Sequence, residues 1–130
     1  MAGNASTALR DAWANQIETV VGTAPLFRFR TGAKPASAGA ARSGTILATI
    51  TAASDWLGAS SSGTVALIGT PTTTSIAAGT VGHWELMDSG GTTCHWQDTI
   101  GSGITLDTNI ITAIGQNVTI TSGAWTMGNA

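Results

Sequence analysis

Two periodicities divide this chain. From about Ser6 to Val21 the apolar residues Leu9, Trp13, Ile17 and Val20/Val21 recur at helical spacing, with Arg10, Asp11, Asn15, Gln16 and Glu18 between them. That pattern predicts an amphipathic helix with one apolar stripe. Asn4 or Ser6 supplies its cap, and Gly22 followed by Pro25 its stop. A helix of this length is marginal alone in water, so the stripe must lie on a surface of this chain or of a neighbouring subunit. Burying Trp13 and Ile17 would contribute about 2 kcal/mol each.

From Pro25 onward the pattern alternates. Pro25 to Thr31 places Phe27 and Phe29 on one face and Arg28 and Arg30 on the other, a half-buried strand with a cationic outer side. Gly32 to Gly44 is a loop rich in Ala, Ser and Gly. Thr45 to Thr51 alternates Ile46, Ala48 and Ile50 against Leu47, Thr49 and Thr51, and Ser54 to Leu57 forms a turn that tucks Trp56 inward. Further strands are expected at Gly63 to Gly69, Thr73 to Ala78, Val81 to Met87, Thr93 to Thr99, Ile104 to Leu106 and Asn117 to Met127. In Ile110 to Ile114, Thr108 or Asn109 can cap a helical turn, but the β-branched residues and Gly115 favour an extended stretch. The fold class is all-β: an antiparallel β-sandwich or jelly roll of about eight strands with one N-terminal amphipathic α-helix. Residues 1–22 form the helical segment and 23–130 the sandwich domain.

The most specific stretch is Met87-Asp88-Ser89-Gly90-Gly91-Thr92-Thr93, flanked by two strands that each hold a His-Trp pair. It predicts a β-hairpin. A three-residue loop, Ser89 to Gly91, sets Trp84 opposite Trp96 and Glu85 opposite His95, with the indoles on the core face. A two-residue loop shifts the register by one and pairs each Trp with a His. Were Glu85 to face His95, the imidazole pKa would rise and the pair would form a pH-sensitive contact.

Composition narrows the function classes. Only 9% of the residues are charged, far below the roughly 25% of an average soluble chain, so the surface is neutral and hydroxyl-rich. All five basic residues lie at or before Arg42, which gives that part a net +3; the remainder carries −5. Such a split suits contact with the opposite end of a neighbour or with an acidic surface. A net charge of −2 argues against nucleic acid as a partner. Cys94 is the single cysteine, so no internal disulfide is expected; alternation places it on the Trp84/Trp96 side as a buried, inert thiol. No stretch approaches the ~20 apolar residues of a membrane span, and no signal-peptide pattern opens the chain, so neither a membrane partner nor export is expected.

Candidate chemistry is sparse. His83, Glu85 and His95 supply at most three metal ligands across the hairpin, in no recognised spacing, so no metal and no cofactor is expected. Cys94 and His95 are strand neighbours whose side chains diverge and form no dyad. Glu85, Asp88, Asp98 and Asp107 match no paired-carboxylate motif, and the Gly-rich stretches lack a phosphate-loop lysine. An enzyme is not expected. Five tryptophans could make a sugar-stacking platform, but core packing explains each of them; Trp125 is the best candidate for exposure or for burial by a partner.

The order of features is nonetheless distinctive. After the helix come Leu26-Phe27-Arg28-Phe29-Arg30-Thr31-Gly32-Ala33-Lys34-Pro35-Ala36 and Ser43-Gly44-Thr45-Ile46-Leu47-Ala48. Then follow Gly79-Thr80-Val81-Gly82-His83-Trp84-Glu85-Leu86, Asp88-Ser89-Gly90-Gly91-Thr92 and Gly115-Gln116-Asn117-Val118-Thr119-Ile120. Over nearly its whole length the chain resembles small virion proteins of tailed bacteriophages and prophages, and in size it is similar to capsid cement, or decoration, proteins with jelly-roll folds. The resemblance implies a structural virion protein, made in the bacterial host cytoplasm, that binds the major capsid protein and itself as a homodimer or homotrimer. It brings no active-site residues. Leu9, Trp13, Ile17, Arg28 and Arg30 are the expected partner-interface residues. The alternative is a tail or head-fibre module that binds host-surface glycans through exposed Trp.

Overall fold

The computed structural model describes residues 4–127. Helix α1 (Thr7–Val21) starts at Ser6, whose hydroxyl accepts the Leu9 amide at 3.2 Å, and stops at Gly22. The described strands are β1 (Leu26–Thr31), β2 (Ile46–Thr51), β3 (Thr64–Ala66), β4 (Thr72–Thr74), β5 (Gly79–Met87), β6 (Cys94–Thr99), β7 (Ile104–Leu106), β8 (Ile110–Ile111) and β9 (Asn117–Thr126). They make two antiparallel sheets. The first has the order β2-β1-β5-β6, with β8 added on β5; the second is β3-β9-β4, with β7 added on β9. The fold is therefore an all-β sandwich with one N-terminal helix.

Alternation builds the core. Phe27, Phe29, Ala48, Ile50, Trp84 and Leu86 from the first sheet meet Val65, Ile104, Val118, Ile120 and Trp125 from the second, all buried. Phe27 sits at the centre of an aromatic cluster, its ring centroid 5.9 Å from Trp56, 6.3 Å from Trp84 and 6.2 Å from Trp125. Trp125 in turn meets Trp56 and Trp84 edge to face. Each such pair adds about 0.5–1.5 kcal/mol to the area it buries. Trp125 is thus a core residue, 3% exposed, as core packing predicted for each tryptophan, although it was also the best candidate for exposure.

Two expected strands, 63–69 and 73–78, shrink to three residues each. Ser75 leaves the ladder because its amide and hydroxyl bond to Gln116 O and Ala113 O in the turn before β9. Ile110–Ile111 is extended and pairs with Gly79–Thr80.

The hairpin forms with a different register. Asp88 pairs with Thr93 across a four-residue loop, because the Asp88 carboxylate gathers the Thr92 amide and hydroxyl and the Thr93 amide at 2.7–3.2 Å. Met87 then stands opposite Cys94, His95 is an extra bulged residue, and Leu86 stands opposite Trp96. Trp84 consequently faces Asp98, and Glu85 faces Gln97; neither the Trp84–Trp96 nor the Glu85–His95 pair exists. The loop and the bulge each add one residue, so the shift is even and the two indoles still share the inner face. The bulge also moves Cys94 off that side.

Candidate functional site

Two regions could carry function, and both differ from the expected arrangement. The first is the outer face of the first sheet. Glu85 projects there from the middle of β5 and is wholly buried. Arg30, from the neighbouring β1, donates from Nε to its Oε1 at 2.7 Å, and Arg42 donates from Nη1 to its Oε2 at 2.7 Å. Arg42 belongs to the 32–45 loop, which lies across this face as a strap. Its guanidinium also reaches Ser37, Ala38 and Ala40 carbonyls, Gln97 Oε1 and Cys94 Sγ. Gln97 ties the strap again by donating to Pro35 O at 2.6 Å.

The remaining residues of this face follow the same logic. His83 Nδ1 lies 2.9 Å from Gly32 O, which assigns the proton to Nδ1. The close approach needs Gly82, where a Cβ would stand 2.1 Å from Gly32 O. Burial raises the Cys94 thiol pKa above its ordinary value, outweighing the attraction of the Arg42 charge. The cationic outer side expected for Arg28 and Arg30 is therefore corrected: Arg30 is 9% exposed and committed to Glu85, and Arg28 is half-buried. Arg30 presents no docking surface.

The second region is α1. Its inward row is Arg10, Ala14, Ile17 and Val21, which keeps Ile17 and Val21 of the predicted stripe but not Leu9, Trp13 or Val20. Ala14, with no exposed surface, lets the helix approach closely, and the polar side chains around it staple irregular backbone. Arg10 donates to Met127 O and Ser62 O at 2.9 Å, and Asp11 accepts from Gly63 N at 2.7 Å. Glu18 accepts from Trp56 N at 3.0 Å and from Leu57 N at 2.8 Å. These bonds turn the helix so that Leu9, Trp13 and Val20 point outward, 45%, 39% and 64% exposed. The helix lies on its own sandwich, yet most of its apolar stripe stays in solvent.

A groove of about 240 Å³ runs beside it, lined by Trp13, Gln16, Ile17, Val20, Val21, Leu86, His95 and Trp96. His95 thus lies with the helix, away from the Glu85 side, so the trio His83, Glu85 and His95 is not assembled. Ile17 is shared between core and groove.

Sequence reasoning did not identify Arg42, Gln97, Arg10, Asp11 or Glu18. One signal was available: Glu85 is an acid amid Trp84, Leu86 and Met87 in a strand, which demands a cationic partner. No family model, curated protein or solved structure matches the chain.

Proposed function

We propose that the chain is a structural virion subunit, a capsid decoration protein that docks on the major capsid protein and on its own copies through the outer side of α1. The outward stripe carries this reading. A helix whose inward side is already bonded keeps Leu9, Trp13 and Val20 in solvent beside an apolar groove. Contiguous exposed apolar surface with a polar rim is the form protein interfaces take. The neutral, hydroxyl-rich composition and the resemblance to phage virion proteins support the same role. Many copies, each burying a modest area, would hold a lattice together through symmetry and multivalency.

Quantitative mass spectrometry of purified particles tests the proposal. A copy number comparable to that of the shell protein is expected; a handful per particle would move the role to a fibre or tail, and absence would discard the virion reading. Val20→Glu combined with Leu9→Glu should leave the protein folded by circular dichroism and abolish particle binding.

A second reading has one observation in its favour. Trp13 and Trp96 line the same groove with Gln16 and His95, an aromatic and polar combination suited to stacking a sugar. Tryptophan fluorescence quenched by host oligosaccharides, and no longer quenched in Trp13→Ala, would favour the glycan-binding module.

A further inference from the structure

The outer face of the first sheet brings three guanidinium groups together with one carboxylate. Arg30 and Arg42 take both oxygens of Glu85, and the donors of Arg42 are further engaged by strap carbonyls and Gln97. Arg28 is different. Among the described residues its one hydrogen bond runs from Nη1 to Gly91 O at 3.4 Å, and its Nε is buried with no partner there. A buried donor without a partner is costly, more so on a charged group.

Among the described residues no carboxylate lies within ion-pair distance of Arg28. Asp88, the acid nearest the hairpin turn, is turned toward Thr92 and Thr93. Arg28 instead borders a cavity of about 370 Å³ between the strap residues Ala38 to Arg42 and the hairpin turn Gly91 to Cys94. That volume falls within the range of small-molecule sites. Its wall combines alanine side chains and Met87 with the Arg28 charge and the turn residues Thr92 and Thr93.

We propose that this cavity is a binding site for a small organic oxyanion, a phosphate ester or carboxylate. Its head is held by Arg28 and its body rests against the strap alanines and Met87. Nη2 makes no hydrogen bond among the described residues and is not buried, so the guanidinium keeps a charged donor for an oxygen of such a head. Gly91, at φ +70°, keeps the turn clear of the guanidinium: a Cβ there would stand 2.5 Å from Arg28 Nη2. The site is independent of α1 and of the docking role proposed for it.

The test titrates the intact protein with inorganic phosphate and with phenyl phosphate, against sodium chloride at matched ionic strength, by ¹⁵N NMR. Saturable shifts confined to the Arg28 Nε–H and to the amides of Ala41, Gly91, Thr92 and Cys94 are expected, with phenyl phosphate binding more tightly than phosphate. Arg28→Gln should weaken binding by about tenfold or more, and Arg28→Lys should weaken it less. Shifts that chloride reproduces, that do not saturate, or that persist in Arg28→Gln would overturn the site. Should Arg28→Gln not fold, an unmoved Arg28 Nε–H resonance in the unaltered protein overturns it equally.

Discussion

Glu85 and Leu86 are sequence neighbours on β5, both with no exposed surface, and they enter two interiors that are held in different ways. Leu86 joins the aromatic and aliphatic core, where stability comes from area removed from water and losses grade with the volume deleted. Glu85 joins a layer of two guanidiniums, strap carbonyls and Gln97, where the two charges of each ion pair are satisfied only while both partners are present. Burial alone therefore does not define tolerance. The apolar side adapts to small changes, and the ionic side fails when one partner is removed.

The largest effect should come from charge removal at the ionic side. Glu85→Gln leaves two guanidiniums without their counter-charge and should cost about 3–5 kcal/mol. Leu86→Met, one residue away, should cost less than about 1.5 kcal/mol. Urea midpoints at constant slope measure both, and equal losses would break the comparison.

Double-mutant cycles sharpen it. The pair Arg42→Met with Glu85→Gln should couple by about 1–3 kcal/mol. The edge-to-face pair Phe27 and Trp56 in the core should couple by about 0.5–1.5 kcal/mol. A larger coupling in the core would reverse the contrast.

Two titrations give smaller effects at the hairpin that joins the two sides. Hydrogen bonds from the Thr92 hydroxyl and from the Thr92 and Thr93 amides hold the Asp88 carboxyl below its ordinary value of 3.8. Its contribution is thus full above that pH and is lost as pH falls through the lower folded value. The stability difference between the unaltered protein and Asp88→Asn should shrink on acidification below about pH 4. Cys94 acts in the opposite range. Its thiol is raised above 9.0 in the folded protein, so the unfolded chain ionises first and stability should fall as pH rises past that value. Cys94→Ala should remove this alkaline loss, and an aromatic disulfide reagent should label the folded thiol more slowly than the unfolded one.

The helix shows how periodicity can be read correctly and its direction missed. The spacing of Leu9, Trp13, Ile17 and Val20/Val21 predicted α1, which is present, and of the two candidate caps, Asn4 and Ser6, it is Ser6 that caps it. The inward side was decided by Arg10, Asp11 and Glu18, whose partners are backbone groups 38 to 117 residues away. No local pattern encodes such distant loops. The hairpin behaves similarly: its place and its shared indole side were legible, whereas its register depended on how Asp88 closed the turn and on the bulge at His95.

Alternation and turn residues, taken alone, determine an antiparallel sandwich with one leading helix, the burial of Phe27 and Phe29 and the inward turn of Trp56. These follow from short-range sterics and from transferring apolar area out of water, both of which are written in neighbouring residues. Tertiary structure decided that Glu85 would be shared by Arg30 and Arg42, that Arg28 would have no carboxylate within ion-pair distance among the described residues, and that α1 would keep Leu9, Trp13 and Val20 outward. Those outcomes depend on which groups find partners across the fold, because a buried charge or backbone donor is stabilised only by the particular atom that meets it.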